Sequence, residues 1–214
     1  MTIIHTIVER ALVLVVLCLP LAGWAQMAFH DRKILSMTYE EEASSTQRGP
    51  NDPPTAVAPP SLGGCRLPVR KMEDIRSNKT SAGAWVFALA TPSGVPLTGS
   101  SLTTGGDGQA WLASAIASLR PMGLMLQAGA AEGVDVQLRL AHAWSGGMNL
   151  HSHVVLQAVY PTPSGLQTRR YHGMATKLNW VNGAGEFMTT LNMGMTDALS
   201  AFAADLQRMC KGEA

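Results

Sequence analysis

The chain is short of charge, aromatic side chains and catalytic motifs, and each shortage excludes a class of function. Only 14% of its 214 residues are charged and the formal net charge is +1, so no basic excess can neutralise nucleic-acid phosphates. No serine lies in a Gly-x-Ser-x-Gly motif, and no P-loop lysine follows the glycine-rich run at 105–108. We therefore expect no nucleic-acid partner and no cofactor.

The N-terminus has the three-part layout of a secretory signal peptide. A polar start with His5 and Arg10 precedes an apolar run at 11–22, and small residues precede Gln26. The run has about a dozen residues, whereas a membrane-spanning helix needs about 20. We therefore predict a signal peptide at 1–25, cleaved before Gln26, and a periplasmic protein. An uncleaved anchor and a wrongly assigned start are the alternatives.

Cleavage of this segment would leave two of the three cysteines in the mature chain. Cys18 leaves with the signal peptide, and it follows bulky Leu17 inside the apolar run, so it does not fit a lipid-bearing cysteine. Cys65 and Cys210 remain, and two cysteines in an oxidising compartment favour one disulfide. That disulfide would join the start of the folded region to the end of its last helix. Two free buried thiols are the alternative.

Composition and periodicity divide the rest of the chain into two parts. Residues 26–64 are polar and proline-rich, which predicts a disordered spacer. Residues 65–211 carry the apolar periodicities of a single α+β domain. Within it, one amphipathic helix is predicted from Asp107 to Leu119 and a longer one from Glu186 to Met209.

About five strands are predicted, two before the first helix and three between the helices, at 66–73, 84–89, 135–144, 149–160 and 167–180. Strands that follow one another favour an antiparallel sheet, and both helices should cover one face of it in a two-layer sandwich. The strand at 135–144 alternates strictly. This pattern predicts that Leu138, Leu140, His142 and Trp144 share one half-buried face.

Several motifs between Cys65 and Cys210 carry a family resemblance. They are CRLPVRKMEDIRSNKTSAG from Cys65, the Trp111-Leu112 pair that opens a helix, HVVLQAVY from His153, Tyr171-His172-Gly173, Asn179-Trp180, and Leu191-Asn192 in the last helix. With these motifs, the chain resembles the YajG-like proteins of the Gram-negative envelope. More distantly it is similar to other small α+β envelope lipoproteins, including the auxiliary lipoproteins of lipid-transport systems. The resemblance implies an envelope location, near the outer membrane, and a role in binding or assembly without catalytic residues.

His151 and His153 are candidate metal ligands, because residues two apart on a strand project to the same face. His142 or His172 would add the third nitrogen that a catalytic zinc needs. This pattern supports an alternative function, a secreted metal-dependent hydrolase centred on His151 and His153. A structural role is the simpler interpretation, since His142 shares its predicted face with Trp144.

Two further features have both a binding and a structural interpretation. Asp74 and Arg76 form either a ligand-binding pair or, as we prefer, a pair that holds a turn through side-chain to backbone hydrogen bonds. Trp180 is a candidate interface anchor, although a core position is more common for tryptophan. The sequence as a whole predicts an exported, non-enzymatic accessory protein that lies near a membrane. It would dock to an envelope protein or hold a lipid-like ligand.

Peptide mapping of the protein purified from the periplasm tests the two N-terminal predictions. We expect the mature chain to begin at Gln26, because signal peptidase cuts after small residues at −3 and −1. Without reductant, we expect the peptides that contain Cys65 and Cys210 to be linked. A mature protein that retains Met1 contradicts the first expectation, and two free thiols contradict the second.

Overall fold

The structure is a computed structural model that describes residues 33–41, 67–86, 99–122, 124–126, 133–146, 148–162, 164–179 and 183–212. The predicted signal peptide, Cys65 and Trp180 lie outside the described residues, so the predictions about them stay predictions. Among the described residues, neither helix combines the length and apolar composition needed to span a membrane.

The described residues form eight strands, two helices and one short 3-10 turn. The strands are β1 (Lys33–Leu35), β2 (Leu67–Asp74), β3 (Ser81–Val86), β4 (Gly99–Thr104), β5 (Leu124–Leu126), β6 (Val134–Gly146), β7 (Asn149–Thr162) and β8 (Gly165–Leu178). The helices are α1 (Gly108–Ala117) and α2 (Ala184–Cys210), and the 3-10 turn is Arg120–Met122. Both predicted helices are therefore present, with ends that differ by one or two residues.

One mixed sheet contains all eight strands, with β6 at its centre. One edge of β6 pairs antiparallel with β7, which pairs antiparallel with β8. The other edge of β6 pairs in parallel with β2 and then with β3. β4 joins β3 antiparallel, while β1 pairs in parallel with β4 and β5 with β2.

The α+β class is confirmed, but the prediction of an antiparallel sheet of about five strands is wrong. Two strands separated by a short polar turn usually form a hairpin. The prediction rests on that rule and makes the first two strands antiparallel. Here the turn at 75–80 does not reverse the chain. β2 and β3 run in the same direction, end to end along one edge of β6. The additional strands β1, β4 and β5 are only three to six residues long, too short for a clear periodicity.

A β-bulge divides β6 into two halves. Leu138 pairs with Leu156 on β7, whereas Leu140 pairs with Val155, so Arg139 is an extra residue on β6. One extra residue reverses the alternation of side chains about the strand. The two halves of β6 therefore present their odd- and even-numbered residues to opposite faces of the sheet.

The bulge overturns the predicted common face of this strand. Leu138 is fully buried on the helix side, and beyond the bulge the buried residues become Ala141 and Ala143. His142 and Trp144 are only partly buried and lie on the face that turns away from the helices. The prediction that they share a face with Leu138 is therefore wrong. This prediction assumed that a single in–out alternation continues along the whole strand. The residue pattern does not reveal the bulge that interrupts it.

Both helices cover the same face of the sheet and close a single core. α2 packs on β7 and β8, where a Cβ on Gly173 would overlap with the carbonyl oxygen of Gly194. Glycine at these positions therefore lets the helix approach the strand closely. α1 packs on β2, and Trp111 donates a hydrogen bond from Nε1 to Asn192 Oδ1 at 2.9 Å, which ties the two helices together.

Residues 33–41 belong to the domain, although the sequence analysis placed them in the spacer. Leu35 and Met37 are buried, and the Met37 N–H donates to the Asp107 carboxylate at 2.9 Å. The Asn192 amide donates to the Thr38 carbonyl at 3.1 Å. The prediction of a disordered spacer is wrong for this segment, because its few apolar residues are buried by β4 and α2, which are distant in sequence. The rest of 26–64 lies outside the described residues.

A buried polar network fixes α2 to β8. Asp205 accepts hydrogen bonds from Tyr171 Oη at 2.6 Å, from Arg169 at 2.7 Å and from Arg208 at 3.0 Å. The Tyr171 hydroxyl also lies 2.8 Å from that of Tyr160. Burial acts to raise the pKa of Asp205, but the hydrogen bonds from Tyr171, Arg169 and Arg208 outweigh it and hold the pKa below its usual value.

Asp205→Asn should destabilise the fold at pH 7 by about 3 kcal/mol, because it leaves buried donors poorly matched. Since the pKa of Asp205 is lower in the folded state, its contribution is present above the unfolded pKa near 3.8 and is lost as the pH falls through the folded pKa. Urea unfolding at pH 7 and pH 3 should show a difference between wild type and variant that shrinks in acid. A difference that is unchanged or larger at pH 3 contradicts this assignment.

Candidate functional site

The candidate site lies on the sheet face of β6, β7 and β8 that turns away from the helices, which we call the open face. Alternation along β7 sends Leu150, Ser152 and Val154 into the core and His151 and His153 to the open face. On β8 the same rule buries Tyr171 and Ala175 and exposes His172 and Met174.

The strand registers collect four imidazoles and one indole on the open face. His142 pairs with His153 across β6 and β7, and Trp144 pairs with His151. His153 in turn pairs with Met174 on β8, beside His172. We call the five residues His142, Trp144, His151, His153 and His172 the histidine patch.

Ring contacts order one half of this patch. Trp144 stacks on His151 with ring centroids 5.3 Å apart and an interplanar angle of 21°. The His142 ring lies 5.6 Å from Trp144 at 34°. The Nδ1 atom of His151 lies 3.0 Å from Thr176 Oγ1, which fixes the imidazole under the indole. Trp144 is therefore held between two imidazoles rather than packed in the core.

A direct imidazole pair forms the other half of the patch. The Nε2 atom of His153 lies 3.1 Å from His172 Nδ1, and the two rings stack with centroids 5.4 Å apart. Partial burial, and then the neighbouring imidazoles of His172 and His142, lower the pKa of His153. This environment favours the neutral form of His153.

A shallow depression of about 570 Å³ lies on the patch, lined by Leu140, His142, Trp144 and His153. Three large apolar side chains are exposed at the same end of the sheet: Met148 at 71%, Met174 at 56% and Leu178 at 41%. Aromatic, methionine and aliphatic surface thus surrounds the depression. A surface of this composition is unusual outside interaction sites.

The opposite end of the open face is polar and internally paired. Arg70 donates to the Asp135 carboxylate at 2.7 Å, and Gln137 donates to Glu73 at 3.4 Å. Asp135 and Glu73 are the only carboxylates that β2, β6, β7 and β8 direct to this face. The histidine patch therefore lies at the end of these strands that has no carboxylate.

The histidines are not arranged as the metal hypothesis predicts. His151 and His153 do share a face, but His151 contacts Trp144 and Thr176, while His153 contacts His172. Within the described ranges, no group of three His, Cys, Asp or Glu side chains is arranged to hold a metal ion. The His153–His172 pair could not be identified from sequence, because it depends on the register between β7 and β8.

Asp74 is the last residue of β2 and Arg76 lies in the turn that follows it; they are 5% and 6% exposed. The Arg76 backbone N–H donates to Asp74 Oδ1 at 3.1 Å, and its guanidinium donates to both carboxylate oxygens at 2.9 and 2.8 Å. The guanidinium also donates to the carbonyls of Lys79 and Ser81. A Cβ on Gly108 would overlap with both side chains. This packing suits a structural role and leaves no room for a ligand.

Comparison with known proteins gives two weak structural alignments, both with a TM-score below 0.5. No family model and no curated protein matches the sequence. A crystal structure of a Xanthomonas campestris protein assigned to the family model DUF330 aligns with a TM-score of 0.47 and 10% identity, covering 85% of this chain and 100% of that one. A second structure, described as an uncharacterized protein, aligns with a TM-score of 0.39 and 12% identity, covering 71% and 94%.

Asp74→Ala should lower the free energy of unfolding by about 3–5 kcal/mol, because it leaves the buried Arg76 guanidinium unpaired. Asp135→Ala is the matched control, since it breaks a similar two-bond pair with Arg70 in which both side chains are partly exposed. We expect a much smaller loss for the control. Thermal unfolding of both variants measures the difference, and equal losses would contradict the structural role of Asp74.

Proposed function

We propose that this chain is an exported, non-enzymatic accessory protein of the Gram-negative envelope that acts in the periplasm and docks to an envelope protein through the histidine patch. The signal-like layout of 1–25 and the resemblance of 65–210 to YajG-like proteins support the location. The exposed apolar and aromatic surface around Trp144 is the observation that carries the docking role, and in its part of the open face the strands β6, β7 and β8 present no carboxylate.

The shape of the surface favours a protein partner. Among the described residues, those that line the depression belong to β6 and β7 and to one sheet face, so this part of the chain gives the depression no second wall. Small-molecule sites usually enclose most of the ligand surface. A partner protein supplies the missing wall, and tryptophan, methionine and a lack of carboxylates are typical of interface centres.

Two other functions compete with this proposal. A lipid-like ligand could lie along the same apolar surface, and it is the second outcome of the experiment below. A metal-dependent hydrolase centred on His151 and His153 needs a third protein ligand within coordination reach of both. The described residues supply no such trio, so the geometry favours docking over hydrolysis.

A photo-crosslinking amino acid placed at Met174 tests the docking surface in intact cell envelopes. Leu166 is the matched control position, because it is also exposed on the open face of β8, at 71%. It lies eight residues away, about 27 Å along the strand. We expect a discrete protein adduct from position 174 and none from 166, and Trp144→Ala should reduce the adduct.

Three outcomes would count against docking to a protein. These are no protein adduct at 174, equal adducts at both positions, and an adduct that Trp144→Ala leaves unchanged. If native mass spectrometry of the purified protein shows instead a bound amphiphile that Met174→Glu removes and Leu166→Glu retains, the lipid-like ligand is the correct assignment.

A further inference from the structure

We propose that His153 and His172 form a binding site for a divalent transition metal ion, with water molecules completing the coordination. The two imidazoles extend from neighbouring strands, β7 and β8, and present Nε2 and Nδ1 to each other on the open face. The site is distinct from the predicted His151–His153 pair, and it requires neither a docking partner nor a reaction.

The spacing of the two nitrogens fits metal ligation. Two imidazole nitrogens bound to one ion at 2.0–2.1 Å, with an angle of 90–109° between them, are separated by about 2.8–3.4 Å. The separation between His153 Nε2 and His172 Nδ1 is 3.1 Å. To hold one ion, both rings must turn so that their lone pairs point about 40° away from the line between the two nitrogens, with the metal ion replacing the shared hydrogen bond.

Access to the pair also suits a metal ligand, because His153 is only partly buried. His172 is solvent-exposed, which leaves the site open to an incoming ion.

The ligand set decides which ions should bind. Nitrogen ligands suit Cu²⁺, Ni²⁺ and Zn²⁺, and affinity at a site of this kind is greatest for Cu²⁺. Ca²⁺ and Mg²⁺ prefer oxygen ligands and should not bind. With only two protein ligands, the ion should exchange readily with solvent, unlike an ion in a closed structural site. His142, which pairs with His153 on the other side, is near enough to modulate the affinity.

Isothermal titration of the tag-free mature protein with CuCl₂ and ZnCl₂ tests this site. We expect one equivalent to bind at the pair, more tightly for Cu²⁺. His153→Ala and His172→Ala should each weaken binding by at least about tenfold, since even the loss of a residue that only supports a ligand costs 10–100-fold. His151→Ala is the matched control and should retain the affinity, because His151 contacts Trp144 and Thr176 instead.

Electron paramagnetic resonance of the Cu²⁺-loaded protein gives a readout that a loss of folding cannot imitate. The wild-type spectrum should show coupling to two imidazole nitrogens, and His172→Ala, with thermal unfolding unchanged, should show one fewer. Wild-type binding no tighter than that of the double variant His153→Ala/His172→Ala would overturn the proposal. Equal weakening by His151→Ala would also overturn it.

Discussion

The β-bulge at Arg139 is the constraint on which the rest of the structure depends. It lies in the central strand, and it reverses which residues of β6 face the helices. The part of β6 before the bulge pairs with β2, and the part after it pairs with β3. The turn at 75–80 therefore lies beside the bulge, where one neighbouring strand ends and the next begins. The Ile75 N–H donates to the Leu138 carbonyl at 3.0 Å, directly beside the bulge. The bulge therefore affects the core, the turn at 75–80 and the side of the sheet on which His142 and Trp144 lie.

Buried polar contacts give this architecture its specific arrangement. Asn192 joins α1 to α2 through Trp111, and it also holds the segment at 33–41 through the Thr38 carbonyl. Asp205 fixes the far end of α2 to β8. Each group is buried and hydrogen-bonded, so a shift of either helix would leave a polar atom unpaired at substantial cost. The helix face of the sheet is therefore rigidly defined, while the open face carries the surface that can bind.

Local patterns revealed the elements but not their pairing. The helical spacing of Phe187, Leu191 and Met195 predicted α2 to within two residues at each end, and alternation predicted β6, β7 and β8. The parallel placement of β2 and β3 depends on contacts with β6, which is distant in sequence. The same limit applies to the site. The bulge turns His142 and Trp144 to the open face, the register of β7 and β8 brings His153 to His172, and neither leaves a mark in the spacing of the residues.

The central claim is that the bulge turns His142 and Trp144 away from the core and onto the open face, where they complete the histidine patch with the histidines of β7 and β8. Carbethoxylation of the native protein followed by peptide mapping tests this claim most directly, because the reagent modifies imidazoles that solvent can reach. The structure predicts that His142, His153 and His172 are modified while the protein remains folded, with His172, the most exposed, reacting first. Protection of His142 until the protein unfolds would contradict the account, since it would place this residue on the helix side of the sheet.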